Sequence, residues 1–206
     1  MSGDALKLLS LLLQYPHPEL LSARAELRAA AAELPGGRGT PEIREFLEWY
    51  CATPPAELEA RYVETFDFTK RSSLHLTYHV LGDRRQRGMA LLNLKQRYAA
   101  AGMEMLDGEL PDYLPVMLEF AALAPDAGLA VLARNREALE LVRASLHAAQ
   151  SPWGLLLDAT CAALPGLTSF QRARVQRLAA EGPPYEEVGL EPFAPPEVMP
   201  APGGTA

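Results

Sequence analysis

The chain has only two cysteines, Cys51 and Cys161, far apart and outside any Cys-x-x-Cys or Cys/His cluster. Their spacing excludes the usual zinc and dithiol sites and leaves buried free thiols as the expectation. Long apolar runs are also missing. The best, residues 8–13, lies between Lys7 and Gln14 and falls well short of the roughly 18 residues that cross a bilayer, so no stable membrane insertion is expected. The chain opens Met-Ser-Gly-Asp, with an acid where an export signal carries basic residues, and no small-residue cleavage site directly follows the leucine run. A cytoplasmic location is the expectation. Cations are outnumbered: 19 Lys and Arg against 26 Asp and Glu give a formal net charge of −7. That balance argues against a general nucleic-acid binder, which neutralises phosphates with surplus cations, and suits a basic partner. No Gly-rich phosphate loop, G-x-S-x-G elbow or recognisable Cys/His pairing occurs, so no enzyme class is marked and no cofactor is called for.

Leucine, alanine and glutamate dominate, β-branched runs are absent, and apolar residues recur at helical spacing, so an all-α fold is expected. Asp4 is placed as the cap of a first helix ending at Tyr15-Pro16, and Pro18 in the first turn of a second that runs to residue 34 and buries Leu20, Leu27, Ala31 and Leu34. Thr40 is expected to cap a third helix with Pro41 at its first position, burying Ile43, Phe46, Leu47, Tyr50 and Cys51. Thr53-Pro54 repeats the cap-plus-proline start for a helix lined by Leu58, Tyr62 and Phe66 that ends near Asp67. Ser72 or Ser73 caps a short helix to Leu81, and Asp83 with Gln86 reads as a capping box opening a helix that reaches Gly102. With Asp112 as N-cap, Pro115 falls where a helix needs no N–H donor, and the segment to Ala124 is apolar almost all round, as in a central buried helix. Further helices are placed over residues 127–149, 152–164 and 169–180, the last opened by a capping box from Thr168 to Gln171. The sum is a single-domain helical bundle of about ten helices over residues 1–181. Residues 182–206 hold seven prolines and are expected to form an extended or disordered tail.

Charge is unevenly placed. No Lys or Arg lies between Arg97 and Arg134, where Glu104, Asp107, Glu109, Asp112, Glu119 and Asp126 all fall; the stretch is either a solvated face or a steering surface. Upstream, Arg84, Arg85 and Arg87 form a basic cluster that a phosphate-bearing ligand could use, though no Gly-rich loop accompanies it. His75 and His79 have the i, i+4 spacing of helical zinc ligands, but Leu76 stands where a metalloprotease places its glutamate and no third ligand is marked, so no metal is expected. The acid pairs Glu64/Asp67 and Glu109/Asp112 are each three apart, a spacing that serves helix ends, solubility or partner recognition.

Two blocks are more specific. The first is Tyr62-Val-Glu-Thr-Phe-Asp67-Phe-Thr-Lys-Arg-Ser-Ser-Leu74-His-Leu-Thr-Tyr78-His, followed by Gly82-Asp-Arg-Arg-Gln-Arg-Gly88. The second begins Glu109-Leu-Pro-Asp-Tyr-Leu-Pro115. Both resemble the NarJ family of nitrate reductase molybdenum cofactor assembly chaperones over roughly residues 58–124, and the leucine-rich opening with Tyr15-Pro16 fits as well. The resemblance implies the all-helical fold of chaperones of the TorD and DmsD kind. It implies a partner, the nitrate reductase α subunit held by its N-terminal peptide, alone or in the αβ complex, and kept competent for cofactor insertion and membrane attachment. In the wider superfamily the second block carries Pro-Asp-His, associated with leader-peptide binding; here it is Pro111, Asp112 and Tyr113, so an imidazole role does not carry over and an aromatic face with a hydroxyl replaces it. The partner-binding residues expected on this basis are Tyr62, Phe66, Asp67, Glu109, Pro111, Asp112 and Tyr113. The cargo expectation is a basic, amphipathic peptide whose apolar side chains anchor while acids orient it. Rival readings are a nucleotide- or cofactor-binding factor using the Arg84/Arg85/Arg87 cluster and a helical scaffold without a maturation role.

Overall fold

The computed structural model describes residues 1–105 and 108–181. Among them are twelve α-helices and no strand; no helix is long and apolar enough to cross a membrane. The expected tail lies outside the described residues.

The apolar spacing found the buried faces well and the helix ends poorly. Helix α1 (Gly3–Leu12) is capped by the Ser2 hydroxyl, which accepts from Ala5 N–H at 3.3 Å; Asp4 is in the first turn, and the helix stops before Tyr15. The second expected helix bends at Ala23 into α2 (Pro18–Ser22) and α3 (Arg24–Glu33); Leu27, Ala31 and Leu34 are buried as expected, but Leu20, before the bend, is only half-buried. In α4 (Thr40–Ala52), Ile43, Phe46, Leu47 and Tyr50 are buried as expected, whereas Cys51 is half-buried. Its N-cap is Gly39 at φ 88°, and Thr40 instead donates its hydroxyl to Pro35 O at 3.1 Å. A glycine is needed there for the left-handed backbone and because a Cβ would meet Ala159 O at 2.9 Å. Arg44 reaches back from α4 and donates to the carbonyls of Ala31, Ala32 and Leu34, satisfying the C-terminal end of α3.

Helix α5 (Pro55–Phe66) buries Leu58, Tyr62 and Phe66 and ends at Asp67 as expected, but Thr53 closes α4 by donating to Trp49 O at 2.7 Å rather than capping α5. A 3₁₀ turn, Lys70–Ser72, precedes α6 (Leu76–Leu81), whose N-cap is His75 and not a serine. The capping box at Asp83 does not form; α7 (Arg85–Ala100) starts after Arg84 without a side-chain cap, because Asp83 faces Arg87 at 3.7 Å. Helix α8 (Leu114–Leu123) is buried nearly all round and lies against α1 and α9. The expected helix over 127–149 is two, α9 (Pro125–Arg134) and α10 (Arg136–Ala148), parted at Asn135, whose amide donates to Val131 O at 2.9 Å. Helix α11 (Gly154–Ala162) packs on α4 and α10. The Thr168–Gln171 box does open α12 (Ser169–Glu181), with Gln171 N–H donating to the Thr168 hydroxyl and Thr168 N–H to the Gln171 amide oxygen.

One aromatic cluster joins α4, α5 and the start of α11. Trp153, fully buried, meets Phe46, Trp49, Tyr62 and Phe66 with ring centroids 5.1–5.9 Å apart, mostly edge to face. Such pairs add about 0.5–1.5 kcal/mol each beyond the area they bury. Tyr62 and Phe66 thus enter the candidate site from a rigid wall.

Candidate functional site

One buried charge organises the residues just before α8. Tyr98 donates its hydroxyl to Pro111 O at 2.7 Å. The next residue, Asp112, is fully buried. Its carbonyl accepts from Leu76 N–H at 3.0 Å, and Leu114 N–H donates to Leu74 O at 2.9 Å. These two bonds make a single antiparallel bridge between His75 and Tyr113. The two blocks that stood out in the sequence are therefore stitched together backbone to backbone.

The Asp112 carboxylate completes the stitch. Thr77 donates its hydroxyl to Oδ2 at 2.5 Å, His75 Nδ1 lies 3.2 Å from Oδ1, and Arg87 Nη2 lies 3.4 Å from Oδ2. Arg87 also donates to the Thr77 hydroxyl and stands over the Tyr78 ring at 5.9 Å. Burial pushes the Asp112 carboxyl upward, but hydrogen bonds from His75 and Thr77 and the charges of His75 and Arg87 outweigh it, leaving its pKa below the ordinary value. Asp112 is an ionised, internally compensated anchor.

That corrects two expectations. Asp112 does not cap α8, since Tyr113 occupies the N-cap and no side chain caps it. Nor does Asp112 form an acidic rim for a partner, because its carboxylate faces inward. A charge with no exposure and three internal partners offers a basic ligand nothing.

The other expected residues divide by depth. Tyr62, Phe66 and Pro111 are buried; Asp67 and Glu109 are exposed; Tyr113 is half-buried. Tyr62 donates its hydroxyl to Leu13 O at 3.0 Å and sits 3.3 Å from the Tyr113 hydroxyl. A carbonyl cannot donate, so the proton between the tyrosines belongs to Tyr113. Burial raises the pKa of both hydroxyls, and the carboxylates of Glu109 and Asp67 push Tyr113 the same way. The charges of Asp67 and Glu109 thus reach Tyr113. Around it stand residues the sequence reading missed: the His75 ring 5.3 Å from Tyr113, and Tyr15 5.5 Å from Tyr62. Phe68 and Leu110, neighbours in sequence of the two acids, are exposed. Tyr113 thus lies among aromatic rings and within reach of two carboxylate charges.

The two histidines turn to different partners. His75 turns to Asp112, while His79 is buried and its Nε2 donates to Ser73 O at 2.7 Å. Burial lowers the His79 pKa, so its ring is neutral. Among the described residues no three His, Cys, Asp or Glu gather as metal ligands. The arginine cluster is divided too: Arg84 is exposed, whereas Arg87 is committed to Asp112.

A sequence model of the family described as "Nitrate reductase delta subunit" matches residues 31–157. The chain is 34% identical over 160 residues to a Bacillus subtilis (strain 168) protein named "Probable nitrate reductase molybdenum cofactor assembly chaperone NarJ", covering 77% of this chain and 87% of that one. It is 33% identical over 160 residues to "Nitrate reductase molybdenum cofactor assembly chaperone NarJ" of Escherichia coli (strain K12), covering 74% of this chain and 66% of that one. Among solved structures, an Archaeoglobus fulgidus protein assigned to redox enzyme maturation matches 78% of this chain and 92% of its own at a TM-score of 0.60 and 21% identity, a likeness that bears on the fold alone.

Proposed function

The chain belongs to the nitrate reductase delta subunit family, and from that premise we propose that it is a cytoplasmic assembly chaperone for nitrate reductase. It holds the N-terminal peptide of the catalytic α subunit, keeps that subunit competent for molybdenum cofactor insertion and membrane attachment, and performs no chemical step itself. The observation that carries the peptide-binding part is Tyr113, half-buried beside Tyr62 and within electrostatic reach of the exposed carboxylates of Asp67 and Glu109. Tyrosine offers a rigid aromatic face at low entropic cost and a hydroxyl at its edge. Exposed acids add little affinity singly but orient a basic peptide and speed its capture. The Asp112 network supports this surface from behind, since it fixes the backbone of Tyr113 against His75.

The nucleotide-binding alternative fares worse because Arg87 is spent on Asp112. Titration calorimetry with the α-subunit N-terminal peptide tests the proposal. The double variant Asp67→Asn/Glu109→Gln is expected to bind about tenfold more weakly at low salt. The gap should close toward 1 M salt, where the Debye length shrinks to about 3 Å. Tyr113→Ala should weaken binding at every salt concentration. Unchanged affinity in both variants would place the peptide elsewhere.

A further inference from the structure

Residues 84–103 hold no Asp or Glu, although the chain has 26 of them, and carry five cations: Arg84, Arg85, Arg87, Lys95 and Arg97. Most of that stretch is α7, which packs mainly on α6. Its inner side is thinly anchored. Leu94 and Tyr98 are buried, and Arg87 turns inward to Asp112.

The outer side carries an apolar ridge. At about 100° per residue, Met89 and Leu92 stand about 60° apart, and their midpoint lies almost diametrically across the helix from that of Leu94 and Tyr98. Met89 is 60% exposed and Leu92 48%, and Ala99 on the same side is exposed as well. Cations flank the ridge. Lys95 follows beyond Leu92 and Arg97 beyond Met89 around the helix, and Arg84 stands just before its first turn; all three are exposed. Asp83 and Glu104 bracket the stretch, and Asp83 faces Arg87. A surface helix with exposed apolar side chains between cations and no acid has the composition of a helix that lies on a membrane.

We infer that α7 rests in the headgroup layer of an anionic lipid bilayer, with Met89 and Leu92 toward the acyl chains and Arg84, Lys95 and Arg97 against lipid phosphates. This is contact along one side of a helix and not a crossing, since no helix of the described residues is long and apolar enough to span a membrane. The net charge of −7 does not oppose it at physiological salt, where charges more than about 8 Å away are largely screened while the α7 cations meet the phosphates directly. Two other occupants fit less well. Nucleic acid takes cations at the middle of a contact face, where α7 places Met89 and Leu92. A second copy docked ridge to ridge across a two-fold axis would set like charges against each other. The inference goes beyond the peptide-binding reading and does not rest on it: α7 turns Arg87 and Tyr98 to Asp112 and Pro111 and the opposite side to the lipid.

Co-sedimentation of the full chain with vesicles at about 0.1 M salt tests it. Mixed phosphatidylglycerol and phosphatidylcholine vesicles are expected to bind at least about tenfold more tightly than pure phosphatidylcholine. Lys95→Glu/Arg97→Glu should cost about tenfold or more. Arg38→Glu/Arg177→Glu, the same change in net charge at two exposed cations outside α7, should cost no more than about twofold. Met89→Ser/Leu92→Ser should also cost about tenfold, which separates lipid from an acidic protein or nucleic acid. Polyglutamate, which offers charge without an apolar layer, should bind at least about tenfold more weakly than the mixed vesicles. In the unaltered protein the mixed vesicles should slow peroxide oxidation of Met89 and leave that of Met1 unchanged, a readout that needs no variant. Failure to sediment with mixed vesicles would overturn the inference, and is the outcome if residues 182–206, with four glutamates and no Lys or Arg, cover the helix instead. Equal losses in the two charge-reversed pairs, binding indifferent to Met89→Ser/Leu92→Ser, polyglutamate binding as tight as vesicle binding, or Met89 oxidised at an unchanged rate would each overturn it too. Loss of α-subunit peptide binding in Tyr113→Ala with vesicle binding intact would bear on the proposed function alone.

Discussion

Asp112→Ala is expected to lower the stability of the folded chain by about 3–5 kcal/mol, because removing one member of a buried ion pair strands the other. Arg87 would keep a partly buried charge with only the exposed Asp83 at 3.7 Å in place of the carboxylate, and the Thr77 hydroxyl would lose its 2.5 Å acceptor. Asp112→Asn separates charge from shape. Its amide oxygen can still accept from Thr77 or Arg87 and its NH₂ can donate to His75 in the other imidazole tautomer, so the cost should fall to about 1–2 kcal/mol. The pH dependence has a fixed sign. A carboxyl whose folded pKa lies below its ordinary 3.8 contributes stability that is fully present above that value and is lost as pH falls through the folded pKa. Urea unfolding of parent and Asp112→Asn should therefore show a gap that is constant near neutrality and narrows as the solution is acidified below about 4. A gap that widens on acidification, or an alanine variant as stable as its parent, would mean that the network does not hold the two blocks together.

This residue also marks where reading the sequence stops working. Helical spacing located the buried faces of α4, α5 and α8 residue by residue, because a 3.6 period is a local property and burial follows it. Caps were less legible. Asp4 and Thr53 were expected as caps, whereas Ser2 caps the first helix and Pro54 is the N-cap of α5, and which residue serves depends on backbone angles the sequence does not print. The breaks at Ala23 and Asn135 had no proline or glycine to announce them.

The site shows the same division. Tyr62, Phe66, Tyr113 and the two exposed acids were recoverable from the two blocks, but the burial of Asp112 was not, because its partners His75, Thr77 and Arg87 stand 25 to 37 residues away. One signal was available. Asp112 is a lone acid between Pro111 and a run of apolar residues, and a charge in such a run requires a cation and donors from elsewhere in the chain. His75 of the presumed metal pair and Arg87 of the presumed phosphate cluster were two of those partners.

The last expected result turns on one substitution made at two glycines inside helices. Gly88 lies in α7 with nothing within 4 Å of where a Cβ would stand. Alanine there keeps the helical backbone and gains propensity, so Gly88→Ala should stabilise by about 0.5–1 kcal/mol. Gly128 lies in α9 where that helix crosses α8, and its Cβ would stand 2.2 Å from Ala121 Cα and 2.6 Å from Ala121 N. The obstacle is backbone, not a side chain that can rotate away, so the helices must separate. Alanine's propensity gain of about 1 kcal/mol is unchanged here, but overpacking of a tight crossing costs about 1–3 kcal/mol and more where main chain must move. A helix pressed between α1 and α9 has little room to yield, since α8 is buried on nearly every face. Gly128→Ala should thus destabilise by about 3 kcal/mol, a fall of roughly 10 °C in melting temperature for a chain of this size. Thermal unfolding of the two variants beside the parent decides it: opposite signs support the crossing as described, whereas a Gly128→Ala protein as stable as Gly88→Ala would show that α8 and α9 do not approach so closely.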